Sequence, residues 1–459
     1  MTDASSGDPP PDDSVPRERR GGDGDRVRAL GSYGRLVLHL LRWILLGSLV
    51  GVLAGLSSAA FLVTLDWATV AFDEHPALLY GLPLAGLAIG LVYHYGGGRS
   101  VEGNNLIIDE IHEPTAWVPR RMAPMVFVGT VVTHLFGGSA GREGTAIQMS
   151  GSLTDAASRV LRLDPPTRRV MLVAAISGGF GAVFGVPLAG AVFGLEVQSV
   201  GRLRYEALVP ALVASVVGDV VVLRLGVEHL LTPQLVRVEL SPGLIAKVAV
   251  AGVAFGLTAL AFTTVVHQVK RLFARIPWAP ARPFVGGVLV VLMTLAVGNR
   301  LYNGLSLGLA ESSLFGGPVP TWAFLAKLVF TAVTLGSGFV GGEVTPLFII
   351  GTTLGASLAG VLDVPVPLLA ALGFVAVFAG AANTPLACTI MGVELFGSGA
   401  VGYLAIACVL AFVFSSHRGI YGAQRPGGPK LPGLWLSSGP TWRAGSSRAD
   451  VTDPPDPLP

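Results

Sequence analysis

Gly137-Gly138-Ser139-Ala140-Gly141-Arg142-Glu143-Gly144-Thr145 is the stretch that decides how this chain is read. An Arg–Glu pair sits between glycines with apolar segments on both sides, Met125-Val126-Phe127-Val128 before it and Thr145-Ala146-Ile147-Gln148-Met149 after it. A glycine break, an ionisable residue and a helix start at membrane depth are the parts from which an interrupted transmembrane helix builds an ion site. A turn at the membrane surface would hold the same pair without consequence, so composition has to arbitrate. Of 459 residues, 51% are hydrophobic and 13% charged, where soluble domains carry roughly 25% charged; mean hydropathy is +0.65. These values predict an all-α polytopic membrane protein. The 61 glycines suit close helix approach and broken helices. A net charge of +2 gives no reason to invoke nucleic acid. Cys388 and Cys408 lie in apolar segments with no disulfide or metal spacing, and no cofactor or soluble catalytic domain is implied.

Residues 1–33 are rich in Pro, Gly, Asp and Arg and read as a disordered tail. Arg17, Arg19, Arg20, Arg26 and Arg28 precede the first apolar run and favour a cytoplasmic N-terminus. That run, from Leu36, is too long for the apolar part of a signal peptide. Apolar segments are expected at about 36–65, 78–96, 104–113, 121–136, 143–160, 168–184, 187–200 and 206–226. A second set falls at about 243–272, 283–300, 320–337, 343–361, 366–381, 385–396 and 399–416. Several are shorter than the ~20 residues that cross a bilayer and must be buried in protein or line a polar cavity. Arg162, Arg168 and Arg169 cluster in one connection and serve only as a weak guide to topology. Residues 425–459 read as a second disordered tail, leaving 34–424 as the membrane domain.

The two sets are related. Pro187-Leu188-Ala189-Gly190 through Glu196 aligns without a gap with Pro385-Leu386-Ala387-Cys388 through Glu394. Glu143-Gly144-Thr145 through Gly151 likewise aligns with Glu343-Val344-Thr345 through Gly351, which assigns Glu143 and Glu343 to equivalent places. Two matches at nearly one offset indicate a duplication with halves at about 34–226 and 243–424, although the residues leave parallel and inverted halves equally open. Repeats of this kind put their substrate site at the repeat interface, between helix ends.

Three glycine-marked helix starts could form such a site: Gly103-Asn104-Asn105, Gly141 to Thr145, and Gly341 to Pro346. Helix N-termini carry free N–H groups and about half a positive charge, and so attract anions. Asn104, Thr145 and Thr345 add neutral donors, which suit an ion that must also leave; taken singly, each could equally be an N-cap. Glu143, ionised, can occupy an anion position itself, and protonated it can withdraw. Glu196 and Glu394, as a repeat-related pair, read more simply as structural acceptors of backbone N–H groups.

These residues resemble the CLC family of anion channels and proton-coupled antiporters. Gly141-Arg142-Glu143-Gly144-Thr145 is similar to the family's Gly-Arg-Glu-Gly-Pro motif, which makes Glu143 its external gating glutamate. The Pro-Leu-Ala segments at 187 and 385 match the helices that follow the filter, and Tyr421 falls at the pore tyrosine. Four departures resemble the branch that exchanges fluoride for protons. Thr145 stands for proline, Asn104 for the chloride-coordinating serine, Glu343 and Thr345 for an uncharged pattern, and Val197 for the internal proton-transfer glutamate. The resemblance implies a homodimer of inverted-repeat subunits with many tilted, broken and re-entrant helices. Its implied partners are fluoride, protons and the lipid bilayer. Its implied anion site comprises Asn104, Gly141, Gly144, Thr145, Glu343, Thr345 and Tyr421, with Ile107 and Ile349 where some fluoride members place phenylalanines. A chloride/proton antiporter or chloride channel is the nearest alternative. A membrane-embedded metalloenzyme using Glu143 and Glu343 with His112 or His134 lacks any metal-ligand spacing.

Overall fold

Prolines and short polar side chains decide where the helices begin. Pro165 opens one helix behind Asp164, whose carboxylate accepts the Thr167 N–H at 3.3 Å. Pro242 opens another behind Ser241, whose hydroxyl accepts the Leu244 N–H at 3.3 Å. Left-handed residues end others, Gly185 at φ 68° and Asn383 at φ 58° among them.

The outcome, in a computed structural model that describes residues 23–229 and 232–431, is sixteen α-helices among the described residues. The first eight are α1 (Asp23–Glu74), α2 (Leu82–Gly96), α3 (Asn104–His112), α4 (Met122–Leu135), α5 (Glu143–Val160), α6 (Pro165–Phe184), α7 (Pro187–Glu196) and α8 (Leu208–Arg224). The second eight are α9 (Pro242–Phe273), α10 (Ala281–Val297), α11 (Leu307–Leu314), α12 (Ala323–Ser337), α13 (Val344–Leu362), α14 (Val366–Ala382), α15 (Pro385–Phe396) and α16 (Val401–Phe414). Six helical segments are long and apolar enough to cross a membrane, whereas α7 and α15 are far too short. The chain divides into a unit at Met1–Trp43, described from the opening of α1, and a unit at Ile44–Pro459 that carries the remaining helices.

Three expectations change. Residues 1–22 and 432–459 lie outside the described residues, but α1 begins at Asp23, inside the stretch expected as a tail. Arg425–Pro426 pairs in parallel with Ser199–Val200, so the fold continues past 424. Helix α11 has no counterpart among the expected segments. Glu311, Ser312 and Ser313 interrupt its apolar pattern, and at eight residues it carries too little periodicity to read.

The halves α1–α8 and α9–α16 are inverted. Glu196, at the end of α7, accepts the Leu386 and Ala387 N–H groups at the start of α15 (3.1 and 2.8 Å). Glu394, at the end of α15, accepts the Leu188 and Ala189 N–H groups at the start of α7 (2.8 and 2.7 Å). Each C-terminal carboxylate satisfies the orphan donors of the other helix's N-terminus, and only antiparallel helices related by a two-fold axis can do this reciprocally. Phe180 of α6 and Phe378 of α14 stack across the same relation at 6.0 Å and 11°. Helix α14 is apolar all round and α6 is apolar beyond Arg168 and Arg169; both are almost wholly buried, so they form the centre of the helical packing.

Backbone hydrogen bonds also set the register between halves. The Thr133 carbonyl accepts from the Gly138 N–H and the Thr334 carbonyl from the Phe339 N–H, while Gly141 and Gly342 bond each other in both directions at 2.7 and 2.8 Å. Arg142 therefore matches Glu343, and Glu143 matches Val344. The equivalence of Glu143 and Glu343 expected from the repeat is off by one residue. The shared Glu-x-Thr letters drew the alignment, but the backbone pairs one step further on.

Candidate functional site

The Gly141–Gly342 bridge brings the starts of α5 and α13 together, and the glycines are what permit it. A Cβ on Gly141 would lie 2.8 Å from Pro346 Cδ and 3.0 Å from the Thr345 nitrogen. One on Gly342 would lie 2.9 Å from the Gly144 nitrogen, and one on Gly144 would lie 3.0 Å from Asn104 Nδ2. The third helix start, α3, thus closes on the same point. Gly103 holds φ 60° and ψ −136° ahead of it, a conformation that favours glycine. The three glycine-marked starts converge as the sequence suggests.

Glu143, fully buried, turns its carboxylate onto the N-terminus of α13. Thr345 Oγ1 donates to it at 2.5–2.6 Å and the Thr345 N–H at 3.0 Å, with the Arg142 N–H at 3.2 Å. Arg142 Nε stands 3.6 Å from Oε1. A negative group held by backbone N–H, a hydroxyl and a helix end occupies what is physically an anion position. Beside it lies a cavity of about 20 Å³, room for one water-sized occupant, lined in part by Thr345, Phe348, Ile349 and Phe374.

The remaining expected residues divide. Asn104 is the first residue of α3 and makes no capping bond; its Oδ1 is buried without a partner among the described residues. Tyr421 is buried, its hydroxyl likewise unpartnered among them, and both Glu343 and Glu143 are near enough to act on it electrostatically. Glu343 stands at the N-cap of α13 and makes no capping bond. Thr145 does not join them: its hydroxyl bonds Thr130 at 2.6 Å. Ile107 packs against Gly151, where an added Cβ would lie 2.4 Å from its Cδ1. Ile349 lines the cavity, but so does its neighbour Phe348, which stacks on Phe374 at 4.2 Å, so an aromatic wall exists where the isoleucines put one in doubt. Val197 is core.

Both histidines are engaged elsewhere. His112 Nε2 lies 2.9 Å from the Gln198 carbonyl while Arg204 donates to Nδ1 at 3.0 Å. His134 sits between the Thr130 and Ala140 carbonyls, at 2.8 and 3.0 Å, and ties the Gly137–Gly141 loop to α4. No group of His, Cys, Asp and Glu suited to a metal ion occurs among the described residues.

Sequence reading missed two supports. Arg168, taken there as a loop charge, is buried with Asp155 on one side (2.6 and 2.9 Å) and Glu110 on the other (3.2 Å), locking α3, α5 and α6 together. Lys327, fully buried in α12, bonds the Gly304 carbonyl at 2.8 Å and Ser306 Oγ at 2.9 Å, and so fixes the loop before α11. A lone lysine in an apolar helix is a visible signal; its oxygen partners, all non-acidic, are not.

The family model described as voltage gated chloride channel matches residues 84–416. A chloride/fluoride channel protein of Pseudomonas syringae pv. tomato is 50% identical over 406 residues, covering 86% of this chain and 89% of that protein. Among solved structures, a CLC-type fluoride/proton antiporter is 34% identical with a TM-score of 0.82, covering 85% of this chain and 99% of that one. A slow cyanobacterial Cl⁻/H⁺ antiporter shares the fold at 19% identity and a TM-score of 0.69, with coverage of 82% and 93%. Inverted repeat, broken-helix anion position and these likenesses agree: the chain belongs to the voltage-gated chloride channel (CLC) family and is a multi-pass membrane transport protein.

Proposed function

We propose that the protein is a fluoride/proton antiporter that exports cytosolic fluoride, with Glu143 as a carboxylate gate that competes with the anion. The observation that carries this reading is the Glu143 carboxylate seated on the Thr345 hydroxyl and N–H. Fluoride entering that position would take over the same short donors, and Glu143 can yield it by accepting a proton. Each exchange of carboxylate for fluoride then moves a proton against the ion. Fluoride is small and tightly hydrated, so its site must replace water with close donors; the Thr345 hydroxyl, Asn104 Nδ2 and the Tyr421 hydroxyl are the candidates, with Glu343 shaping the polar track beside them. Fluoride as the ion is supported by two likenesses, to the Pseudomonas chloride/fluoride channel protein and to the 34%-identical fluoride/proton antiporter. The working unit is proposed to be a homodimer of this membrane domain with a cytoplasmic N-terminus.

The test is flux from liposomes holding the purified protein. Fluoride efflux should far exceed chloride efflux, and a fluoride gradient should drive protons the opposite way. Equal chloride efflux would return the assignment to a chloride/proton antiporter or chloride channel. Fluoride efflux indifferent to a proton gradient would make it a channel.

A further inference from the structure

Two walls of the cavity beside Glu143 hang on one helix. Arg142 and Glu143 line one side, at the end of the loop 137–141, and Leu307 and Ala310 of α11 line another. Helix α12 carries Lys327, Thr331 and Thr334 at i, i+4 and i+7, and therefore along one face. Thr331 Oγ1 lies 3.0 Å from Ser139 Oγ, and Thr334 Oγ1 accepts the Ser139 N–H at 3.2 Å. Lys327 Nζ donates to the Gly304 carbonyl at 2.8 Å, to Ser306 Oγ at 2.9 Å and to the Tyr302 carbonyl at 3.3 Å. Asn303, between those acceptors, joins the two loops, because its Nδ2 donates to the Gly137 carbonyl at 2.8 Å.

Neither loop holds its own shape. The first has three glycines in its five residues, so its backbone goes where outside bonds place it. The second puts Gly304 at φ 56° and Ser306 at φ 60°. A serine in the left-handed region persists only where its surroundings hold it there. Lys327 is that hold, and Ser306 Oγ passes a further bond to the Asn303 carbonyl at 3.1 Å. Ser306 directly precedes Leu307, so these bonds fix where α11 starts and how closely Leu307 and Ala310 approach the cavity. A fully buried lysine is costly in an apolar helix, and an apolar side chain would pack there at less cost if this loop did not need donors for its oxygens.

We propose that this face of α12 sets the width of the anion cavity, and that Lys327 is the positioning residue that keeps it narrow enough to favour a small anion over a larger one. The proposal rests on the reading that the anion passes beside Glu143. At about 20 Å³ the cavity has room for one water-sized occupant, so a small outward shift of Leu307 and Ala310 is enough to admit a larger ion.

The experiment measures fluoride, chloride and nitrate efflux from liposomes holding the full chain, natural or Lys327→Met, scaled to folded protein, with thermal unfolding followed in detergent. Methionine keeps most of the stem and removes the donors. The chloride-to-fluoride efflux ratio should then rise about tenfold, the discrimination that one methylene of misfit is worth. If Lys327→Met fails to fold, Ser306→Ala removes one of the three acceptors and the bond to Asn303, and should raise the same ratio at least about twofold, the lower end for a single hydrogen bond. A lower unfolding temperature with an unchanged ratio would make Lys327 a structural residue only and overturn the proposal, as would a ratio that falls. Equal fluoride and chloride efflux in the natural chain would sink the fluoride reading instead. The width is then read from the nitrate-to-chloride ratio, which should rise in the same variants and overturns the proposal if it does not.

Discussion

At the start of α5 the residues run Arg142-Glu143-Gly144-Thr145; at the start of α13 they run Glu343-Val344-Thr345-Pro346. The Gly141–Gly342 pair sets these two starts against each other with matched backbones, Arg142 and Glu343 both at the N-cap in the right-handed helical region. Their side chains differ in kind. The first half sends a carboxylate across to the second half's helix end, while the second half offers Val344 at the matching place and keeps its own glutamate back at the N-cap. A symmetric fold thus holds an asymmetric pair of helix starts: one sends its carboxylate across, and the other receives it on the Thr345 hydroxyl and N–H. The proposed gate needs that inequality, because two carboxylates at matched positions would repel each other and exclude the anion.

The largest expected effect comes from removing the negative group. Glu143→Gln keeps the shape of the side chain but cannot cycle a proton, so fluoride exchange driven by a proton gradient in liposomes should be lost. Coupling at the natural ratio in that variant would take Glu143 out of the mechanism. Removing the donor instead should be milder. Thr345→Val keeps the N–H at 3.0 Å but deletes the hydroxyl that touches both carboxylate oxygens. A hydrogen bond to a charged group contributes about 1.5–3 kcal/mol, so fluoride affinity measured by calorimetry should fall about 10–100-fold. An affinity unchanged in Thr345→Val would mean that the ion does not sit where Glu143 now does.

The contrast explains how far the sequence could be read. The Pro-Leu-Ala repeat and the three glycine-marked helix starts are local patterns tied to backbone need, and the structure keeps them. Glycine at 141 and 342 is required by contacts of 2.8 and 2.9 Å that an added Cβ would make, so the letters carry the geometry. The register between halves does not show in the letters, because it is set by hydrogen bonds between residues such as Gly141 and Gly342 that lie far apart in the chain. Side-chain direction is hidden for the same reason. Thr145 and Thr345 read alike, yet one faces Thr130 and the other Glu143. Arg168 reads as a loop charge because Asp155 and Glu110, its partners, come from two other helices.

The reciprocal pair Glu196 and Glu394 gives the symmetric counterpart to this asymmetry, and a smaller effect. Glu196→Gln and Glu394→Gln each leave one acceptor for two helix-end donors and should cost about 1–2 kcal/mol in thermal or denaturant unfolding. Glu196→Gln should sit at the upper end, because Glu196 is buried and Glu394 only partly so. Flux per folded molecule should not change in either variant. A loss of proton coupling in one of them would show that these carboxylates carry protons as well as cap helices.

Thr145→Val should do least. Its hydroxyl meets Thr130 Oγ1 inside the packing of α4 on α5, and hydrogen bonds between membrane helices average about 0.6 kcal/mol. Valine fills the same volume, so the expected result is a slight loss of thermal stability with fluoride flux and fluoride-over-chloride preference both intact. Thr345→Val, the same change at the same letter of the other half, is expected to weaken fluoride binding by an order of magnitude or more. The pair therefore tests the asymmetry directly. Equal losses of fluoride affinity in the two variants would mean that the Thr145 hydroxyl also serves the ion, and that the Thr130 contact gives way when Glu143 leaves.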